Sequence, residues 1–167
     1  GCGGGVVLKG QALEGRNGIA GEWGHGPLPW PTREEHQAHQ CWCGRTDCLE
    51  TWISGSAFRE DYERSTGLQA DGRAIIERVH AGEAAAVACL DRYIDRLGRA
   101  LAAMCNLLDP DVIVLGGGMS NVEALYERVP PVVAHYAFTD QFTTPIVPAK
   151  YGDSSGVRGA AWLWPAP

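Results

Sequence analysis

The 167-residue sequence predicts an α/β domain on three observations. Over residues 83–108, apolar side chains recur at alternating steps of three and four, which indicates one amphipathic helix. Residues 111–115 form a short β-branched run between Pro110 and Gly116, which is typical of a buried strand in a parallel sheet. Helical and extended segments alternate along the chain without an internal repeat, so the helices are expected to pack on a sheet.

The amino-terminal part predicts a hairpin followed by a long loop. Residues 5–10 form one strand, Gly10 and Gln11 form the turn, and residues 12–14 form a possible return strand. Residues 26–40 contain several prolines and no apolar period, so they are expected to be a loop.

Three helices are expected in the middle of the chain. The first follows Ser54 and ends near Gly67, and the second is capped by Asp71 and stops at Gly82. The third is the amphipathic helix. We interpret its apolar stripe as part of the core of its own domain rather than as a subunit interface.

The carboxy-terminal part predicts a turn, two helices and a strand. Gly116–Gly118 form a turn into a helix that starts at about Ser120 or Asn121, and Pro130–Pro131 are expected to break or restart that helix. Residues 144–148 predict a last extended segment. Gly156–Trp164 predict a carboxy-terminal helix.

Composition and charge argue against several classes of function. The net charge is −6, with 14 basic and 20 acidic residues, and this is unlike a nucleic-acid-binding surface. Lysine is nearly absent, and no apolar run approaches the roughly 20 residues that span a bilayer, so no membrane partner is expected. No secretory signal pattern occurs, and a reduced cytoplasmic compartment fits thiolate metal ligands. The chain begins at Gly1 without a methionine, so a preceding segment is expected.

Three cysteines and one histidine at close intervals give the most specific signal in the sequence. Cys41, Cys43, Cys48 and His25 provide the three thiolates and one imidazole of a full tetrahedral zinc site. No ligand position remains for water, so the predicted zinc is structural rather than catalytic.

Disulfides and buried free thiols are the alternatives to a metal site. With 6 cysteines in 167 residues, the chain lies well below the cysteine density of a disulfide scaffold. The first two cysteines of the cluster are too close to pair comfortably, and Gly44 lets the loop turn around a metal. His36 and His39 compete with His25 as the fourth ligand, and spacing alone leaves this choice open. The two cysteines of the long helix, Cys89 and Cys105, are expected to be buried thiols.

Glu22 and Glu50 flank the predicted metal ligands. A solvated surface position is the commonest fate of a glutamate. The functional alternative is that both carboxylates accept hydrogen bonds from ligand hydroxyl groups. His25 could bind the metal through one ring nitrogen and offer the other nitrogen to the same ligand.

Two glycine-rich segments are candidate phosphate sites. Gly1–Gly5 precedes a strand, and Gly116–Gly118 lies between a strand and a helix, where ligands usually bind in an α/β sheet. Glycines let backbone N–H groups approach phosphate oxygens. Neither segment matches the P-loop or the dinucleotide-binding pattern, and tight turns are the structural alternative.

Together these motifs resemble the signature of the ROK family of repressors, open reading frames and sugar kinases. The resemblance lies in Glu22-Trp-Gly-His25 followed by Cys41-x-Cys43-Gly-x-x-x-Cys48-x-Glu50. It continues through residues 109–119 and 152–161 and so covers essentially the whole chain. Asp47 stands where the family usually has glycine. Within the family, residues 21–30 and 120–121 look closest to bacterial fructokinases.

The resemblance implies an actin-like, ribonuclease-H-like kinase fold with two lobes. Residues 1–167 are expected to form the carboxy-terminal lobe, with the zinc loop inserted at about residues 25–50. The amino-terminal lobe and its catalytic aspartate, part of an Asn-Asp pair, are expected before Gly1. No Asn-Asp pair occurs here, so no residue is assigned as catalytic base, and the chain alone is expected to be inactive.

The resemblance also implies ligands and site residues. A hexose is expected to bind Glu22, His25 and Glu50. ATP with Mg²⁺ is expected at the nucleotide site. The residues implied at that site are Gly1, Gly3, Gly116 and Gly117. Family members commonly pair through this lobe, so a homodimer is expected.

The favoured function is therefore an ATP-dependent, fructokinase-like hexose kinase. A sugar-sensing ROK repressor, with a helix-turn-helix before the kinase-like part, is the alternative within the family. A stand-alone zinc-stabilised interaction domain is a third hypothesis, but it leaves Glu22, Glu50 and the triple glycine unexplained. The acidic charge and the fructokinase-like details favour the kinase.

Overall fold

The computed structural model describes residues 1–162, in which helices and short strands alternate after an amino-terminal hairpin. The helices are α1 (Glu50–Ile53), α2 (Gly55–Thr66), α3 (Gly72–His80), α4 (Ala84–Leu108), α5 (Ala124–Tyr136) and α6 (Ser155–Ala161). The strands are β1 (Val7–Leu8), β2 (Gln11–Ala12), β3 (Ile113–Leu115) and β4 (Ile146–Pro148). Short 3₁₀ turns lie at Trp23–His25, Arg33–Glu35 and Gly118–Asn121.

The amino-terminal hairpin has a two-residue turn. β1 and β2 are antiparallel, with Leu8 opposite Gln11. Lys9 and Gly10 have φ angles of 53° and 77°, and two positive φ angles in a row define the turn type that matches the twist of the paired strands. The predicted hairpin is confirmed, with its turn one residue earlier and its strands shorter than expected.

Helix α4 carries the centre of the core. Leu90, Ile94, Leu97 and Leu101 are all buried, at the predicted steps of four and three. Most other members of the core come from α1, α2, α3, α5 and β4, and connecting segments add Leu28, Leu49 and Val122. The prediction that the apolar stripe belongs to the core of its own domain is confirmed for these positions.

The predicted cap of α3 is confirmed, and α2 has a cap of the same kind that was not predicted. Ser54 Oγ accepts a hydrogen bond from the Ala57 N–H at 3.0 Å, and Asp71 Oδ1 accepts one from the Ala74 N–H at 2.8 Å. Each bond satisfies a backbone donor that has no partner within its helix. Gly67 ends α2 with a φ of 72°, a conformation that glycine adopts without steric cost.

Helix α5 runs through Pro130 and Pro131, so the predicted break is wrong. The two prolines lack the N–H groups that would bond the carbonyls one turn earlier. Leu125, Val129 and Val133 nevertheless form one fully buried face on both sides of the prolines. Packing of this face in the core holds the helix together across the prolines.

Strands β3 and β4 are parallel, with Ile113 opposite Ile146. The expectation of a strand buried on both faces is wrong within the described residues. Val112 and Val114 are 45% and 56% exposed, whereas Ile113 and Leu115 are half-buried against the core. The predicted parallel pairing is confirmed, but only one face of this pair is covered here.

The carboxy-terminal helix occupies Ser155–Ala161. Its predicted continuation over Leu163 and Trp164 lies outside the described residues. Among residues 1–162, no helix is both long enough and apolar enough to cross a membrane.

Candidate functional site

The structure brings the four predicted metal ligands together. One ligand atom from each of His25, Cys41, Cys43 and Cys48 lies within 4.8 Å of the other three. Cys41 Sγ is 3.6 Å from His25 Nδ1, and Cys43 Sγ is 3.6 Å from Cys48 Sγ. Zinc bond lengths of about 2.0–2.3 Å place the corners of a tetrahedron roughly 3.6–3.8 Å apart. The donor set and these spacings therefore fit a closed zinc site.

Backbone hydrogen bonds bring the segments that carry the predicted metal ligands close together. Pro27 and Cys48 form an antiparallel bridge, and the Leu49 N–H donates to the Gly26 carbonyl at 2.9 Å. The Gly44 N–H donates to the Cys41 carbonyl at 3.0 Å, which closes a tight turn between ligands. The histidine and the last cysteine thus meet through hydrogen bonds that need no metal.

The choice among three histidines is decided by the fold. His39 packs its ring against Trp52, with the ring centroids 4.2 Å apart, and burial lowers the pKa of His39. His36 is exposed. The fourth member of the thiol cluster is His25.

All six cysteines lie within the described residues and are free thiols. A backbone hydrogen bond from Arg45 lowers the pKa of Cys43 to about 7, whereas burial raises the pKa of Cys48 to about 12. A bound cation would stabilise both as thiolates, because only deprotonated cysteine is a metal ligand. The prediction of buried thiols in α4 is confirmed for Cys89, which is fully buried, whereas Cys105 is only half-buried.

Asp47 occupies the turn position where glycine was expected. Its φ angle is 57°, in the left-handed region that favours glycine. Its carboxylate accepts hydrogen bonds from the N–H groups of Ala38 (3.0 Å) and His39 (2.9 Å), and also from that of Gln37. The aspartate therefore ties the long loop to the ligand loop.

Glu50 lies beside the metal cluster at the start of α1, and its carboxylate is already oriented. Oε1 accepts a hydrogen bond from Trp42 Nε1 at 2.6 Å, and Oε2 accepts one from the Cys2 N–H at 3.0 Å. Burial opposes ionisation of Glu50, but these two donors outweigh it and lower its pKa below the usual value. Glu50 is thus held by protein donors rather than freely solvated.

Glu22 is exposed and lies directly before the 3₁₀ turn that carries His25. Its backbone N–H donates to the Ile19 carbonyl at 3.1 Å. Within residues 1–162 its carboxylate has no hydrogen-bond or ion-pair partner.

The first glycine segment packs against the segment that carries His25. Trp23 Nε1 donates to the Gly3 carbonyl at 3.1 Å. A side chain at Gly24 would overlap the Cys2 carbonyl, and one at Gly21 would lie 2.7 Å from the Gly4 carbonyl. The backbones of the two segments approach so closely that only glycine fits at positions 21 and 24. The hydrogen bond from the Cys2 N–H places the amino-terminal segment next to Glu50.

The second glycine segment follows β3 and contacts the start of the carboxy-terminal segment. Gly117 has a φ of 75°, and its N–H donates to the Asp153 carbonyl at 3.2 Å. Asn121 Nδ2 donates to Asp153 Oδ2 at 2.9 Å. A Cβ at Gly116 or Gly118 would meet no atom within 4 Å, so this turn is open. In the part of the chain that the structure describes, no hydrogen bond joins the two glycine segments.

Sequence reasoning missed Trp42 and the Cys2 N–H as donors to Glu50. Trp42 stands at the variable position between two cysteines, so no motif marks it. The bond from Cys2 spans 48 residues, and only the fold creates it. The contacts of Asp153 with Asn121 and Gly117 also join residues distant in the chain, and no motif predicts them.

The chain belongs to the ROK family, whose sequence profile matches residues 1–166. It is 38% identical over 167 residues to an N-acetyl-D-glucosamine kinase of Vibrio atlanticus (strain LGP32). That match covers 98% of this chain and 55% of the relative. The chain therefore spans about half the length of the curated relatives it matches.

Solved structures share the fold. A ROK family glucokinase from Streptomyces griseus, in complex with glucose and AMPPNP, has a TM-score of 0.85 at 23% identity, covering 96% of this chain and 56% of that one. A ROK hexokinase from Thermus thermophilus has a TM-score of 0.80 at 31% identity, covering 95% and 52%. A ROK family transcriptional regulator, a homologue of the E. coli MLC protein, has a TM-score of 0.69 at 26% identity, covering 87% and 38%.

The predicted family and the predicted α/β, actin-like kinase fold are confirmed by these matches. The finer assignment to fructokinases is not confirmed, because the curated relatives are N-acetyl-D-glucosamine kinases. The roles of individual site residues stay predictions.

Proposed function

We propose that this chain forms the carboxy-terminal lobe of an ATP-dependent hexose kinase that phosphorylates a sugar hydroxyl. The proposal is carried by the proximity of three features: the oriented carboxylate of Glu50, the cluster of predicted metal ligands and the amino-terminal glycine segment. Glu50 accepts the Cys2 N–H, and a Cβ at Gly1 would lie 3.7 Å from its Oε2. A sugar-binding group next to a candidate phosphate segment is the juxtaposition that phosphoryl transfer to a hydroxyl requires.

In this proposal the sugar hydroxyls donate to Glu50 and Glu22, and His25 contacts the sugar through the nitrogen that faces away from the thiols. Zinc, held by His25, Cys41, Cys43 and Cys48, provides no reactive ligand position and fixes the loop. Gly116 and Gly117, in the open turn after β3, accommodate the nucleotide together with Gly1 and Gly3.

The chemistry is transfer of the γ-phosphoryl group. The sugar hydroxyl oxygen attacks the γ-phosphorus of Mg²⁺-bound ATP, the bond from that phosphorus to ADP breaks, and a base takes the hydroxyl proton. No residue of this chain is assigned as that base. The contribution of this chain is positioning, because a carboxylate fixed before binding lowers the entropic cost of orienting the sugar.

N-acetyl-D-glucosamine is the substrate we propose first. Eight curated relatives that are 36–38% identical to this chain are named N-acetyl-D-glucosamine kinases. Fructose, which the sequence predicted, is the competing substrate. Cytoplasmic location and pairing as a homodimer remain predictions that go with this function.

A sugar-responsive regulator is the second candidate, supported by the fold likeness to the MLC homologue. The acidic net charge of −6 and the higher TM-scores of the two kinases favour the enzyme. The sequence encoded upstream of Gly1 separates the two: an Asn-Asp pair after a phosphate loop indicates the kinase, and a basic helix-turn-helix indicates the regulator.

The test is ADP release by the product of the complete open reading frame, with ATP, Mg²⁺ and either N-acetyl-D-glucosamine, glucose or fructose. We expect kcat/KM for N-acetyl-D-glucosamine to exceed that for fructose at least about tenfold, a difference of about 1.4 kcal/mol. Glu50→Gln is expected to lower kcat/KM, whereas Glu77→Gln, on the exposed face of α3, serves as the matched control.

Preference for fructose would overturn the substrate proposal and leave the kinase intact. If the complete protein phosphorylates none of the three hexoses, the proposed kinase function is wrong. The isolated 167-residue chain is expected to release no ADP, and turnover by it would place the base within this sequence.

A further inference from the structure

Trp42 has a location that neither the core nor the metal cluster explains. It lies between Cys41 and Cys43, two of the four metal-ligating residues. Its side chain is nevertheless 80% exposed, so burial does not account for a tryptophan there.

The indole of Trp42 contacts both groups that we propose to bind the sugar. Its Nε1–H donates to Glu50 Oε1 at 2.6 Å. Its ring meets the His25 ring edge to face, with the centroids 5.1 Å apart and an interplanar angle of 82°. Edge-to-face geometry is a favourable arrangement for aromatic pairs. One exposed side chain therefore bridges the imidazole and the carboxylate.

The hydrogen bond from Trp42 orients the Glu50 carboxylate and leaves it able to accept further hydrogen bonds. Each carboxylate oxygen can accept about two hydrogen bonds. Trp42 occupies one position on Oε1, and the Cys2 N–H occupies one on Oε2. One acceptor position on each oxygen remains, which suits a pair of neighbouring hydroxyl groups on a hexose.

We propose that Trp42 is a positioning residue for hexose binding, which acts by fixing the Glu50 carboxylate and the edge of the His25 ring. This inference rests on the proposed function, since it concerns the same sugar site. Pre-orientation of an acceptor lowers the cost of ordering it on binding, so its loss weakens sugar binding while the nucleotide site is unchanged.

The test compares Trp42→Phe and wild type in the complete protein. Phenylalanine keeps an aromatic ring beside His25 but removes the N–H donor. We expect the Kd and KM for N-acetyl-D-glucosamine to rise about 3- to 10-fold, because one hydrogen bond to a charged group is lost at an exposed site. The KM for ATP and the zinc content should stay unchanged. Trp162→Phe, at another exposed tryptophan, is the matched control.

A double-mutant cycle with Glu50→Gln shows whether Trp42 acts through the carboxylate. Calorimetric titration with N-acetyl-D-glucosamine gives the Kd even when a variant has no turnover. We expect Trp42→Phe to change the Kd less than about twofold in the Glu50→Gln background.

Three results would overturn the inference while the proposed function stands. These are an unchanged Kd in Trp42→Phe, a full additional loss in the Glu50→Gln background, or a loss of zinc in Trp42→Phe that makes its role structural. If wild type neither binds nor phosphorylates a hexose, the proposed function fails and the inference fails with it.

Discussion

Asp47 shows how one residue can hold the ligand loop in place. A non-glycine residue in the left-handed region costs roughly 1–2 kcal/mol. Three backbone N–H groups donate to its ionised carboxylate, and hydrogen bonds to charged groups are stronger than neutral ones. These bonds offset the strain, and they fix residues 37–39 beside the turn that carries Cys48. The ligand loop is therefore partly ordered by the protein itself.

At the residue scale, we predict that Cys43→Ser removes zinc and sugar binding together. Serine provides a poor zinc ligand, and the remaining three ligands leave the loop that carries Glu50 less constrained. Zinc content measured by elemental analysis should fall from about one atom per chain to a small fraction. The Kd for the hexose, measured on the same preparation, should rise at least tenfold.

Cys105→Ser in α4 is the matched control and should keep its zinc. A metal-free Cys43→Ser protein that binds the sugar as wild type does would show that the coupling between metal and sugar site is wrong.

At the scale of elements, the contact between α4 and α5 depends on Gly98. A Cβ built on Gly98 would overlap the Val132 side chain, 2.5 Å from its Cβ. The two helices can approach this closely only because glycine leaves room. This approach lets Leu125, Val129 and Val133 reach the core, so α5 continues through its two prolines.

We predict that Gly98→Ala destabilises the protein by about 1–3 kcal/mol despite the better helix propensity of alanine. The added methyl group forces the helices apart or displaces Val132. Urea unfolding of the complete protein measures the free energy of unfolding.

Gly72→Ala, at the open start of α3, should change stability by less than about 1 kcal/mol. Gly98→Ala should cost less in a Val132→Gly background than in wild type, because that background lacks both of the side-chain carbon atoms that overlap. A single Gly98→Ala variant as stable as wild type would show that the helices do not approach at this point.

At the scale of the whole molecule, one buried charge cluster ties the long loop to the helices. Glu35 is 6% exposed and accepts hydrogen bonds from Arg96 Nε at 2.8 Å and from both Nη atoms of Arg99 at 3.0 Å. The Thr32 N–H donates to the same carboxylate at 3.0 Å. Arg99 also donates to the Trp30 carbonyl at 2.8 Å. These bonds attach the loop between His25 and Cys41 to helix α4.

This cluster predicts a pH-dependent stability. Burial alone would raise the pKa of Glu35, but the bonds from Arg99, Arg96 and the Thr32 N–H outweigh it and lower the pKa from 4.5 to about 2. Because the folded-state pKa is depressed, the stabilisation is complete above pH 4.5. It is lost as the pH falls from 4.5 to about 2, and it amounts to about 3 kcal/mol.

Glu35→Gln should lower the free energy of unfolding by about 2–4 kcal/mol at pH 7, and its difference from wild type should shrink towards pH 2. Urea unfolding of both proteins at a series of pH values measures this difference. Glu34→Gln, at the exposed neighbouring position, should behave as wild type at every pH. A difference between Glu35→Gln and wild type that stays constant with pH would contradict the depressed pKa.

The features that the sequence predicted well depend on residues close together in the chain. The cap at Asp71 joins residues three positions apart, and the stripe of α4 repeats within each turn. The three cysteines lie within one short loop, so their spacing alone predicts a shared cation. Local sterics and hydrogen bonding act over a few residues, and these can be judged from sequence.

Tertiary structure alone decided what depends on distant residues. It selected His25 over His36 and His39, carried α5 through its prolines, and placed the Cys2 N–H and the Trp42 indole on Glu50. Each outcome rests on packing or hydrogen bonding between segments that only the folded chain brings together, and the free energy of burial there exceeds local preference. The sequence by itself therefore determined the family, most helices and the three clustered cysteines, whereas the choice of histidine and the orientation of the carboxylate beside the cluster are properties of the fold.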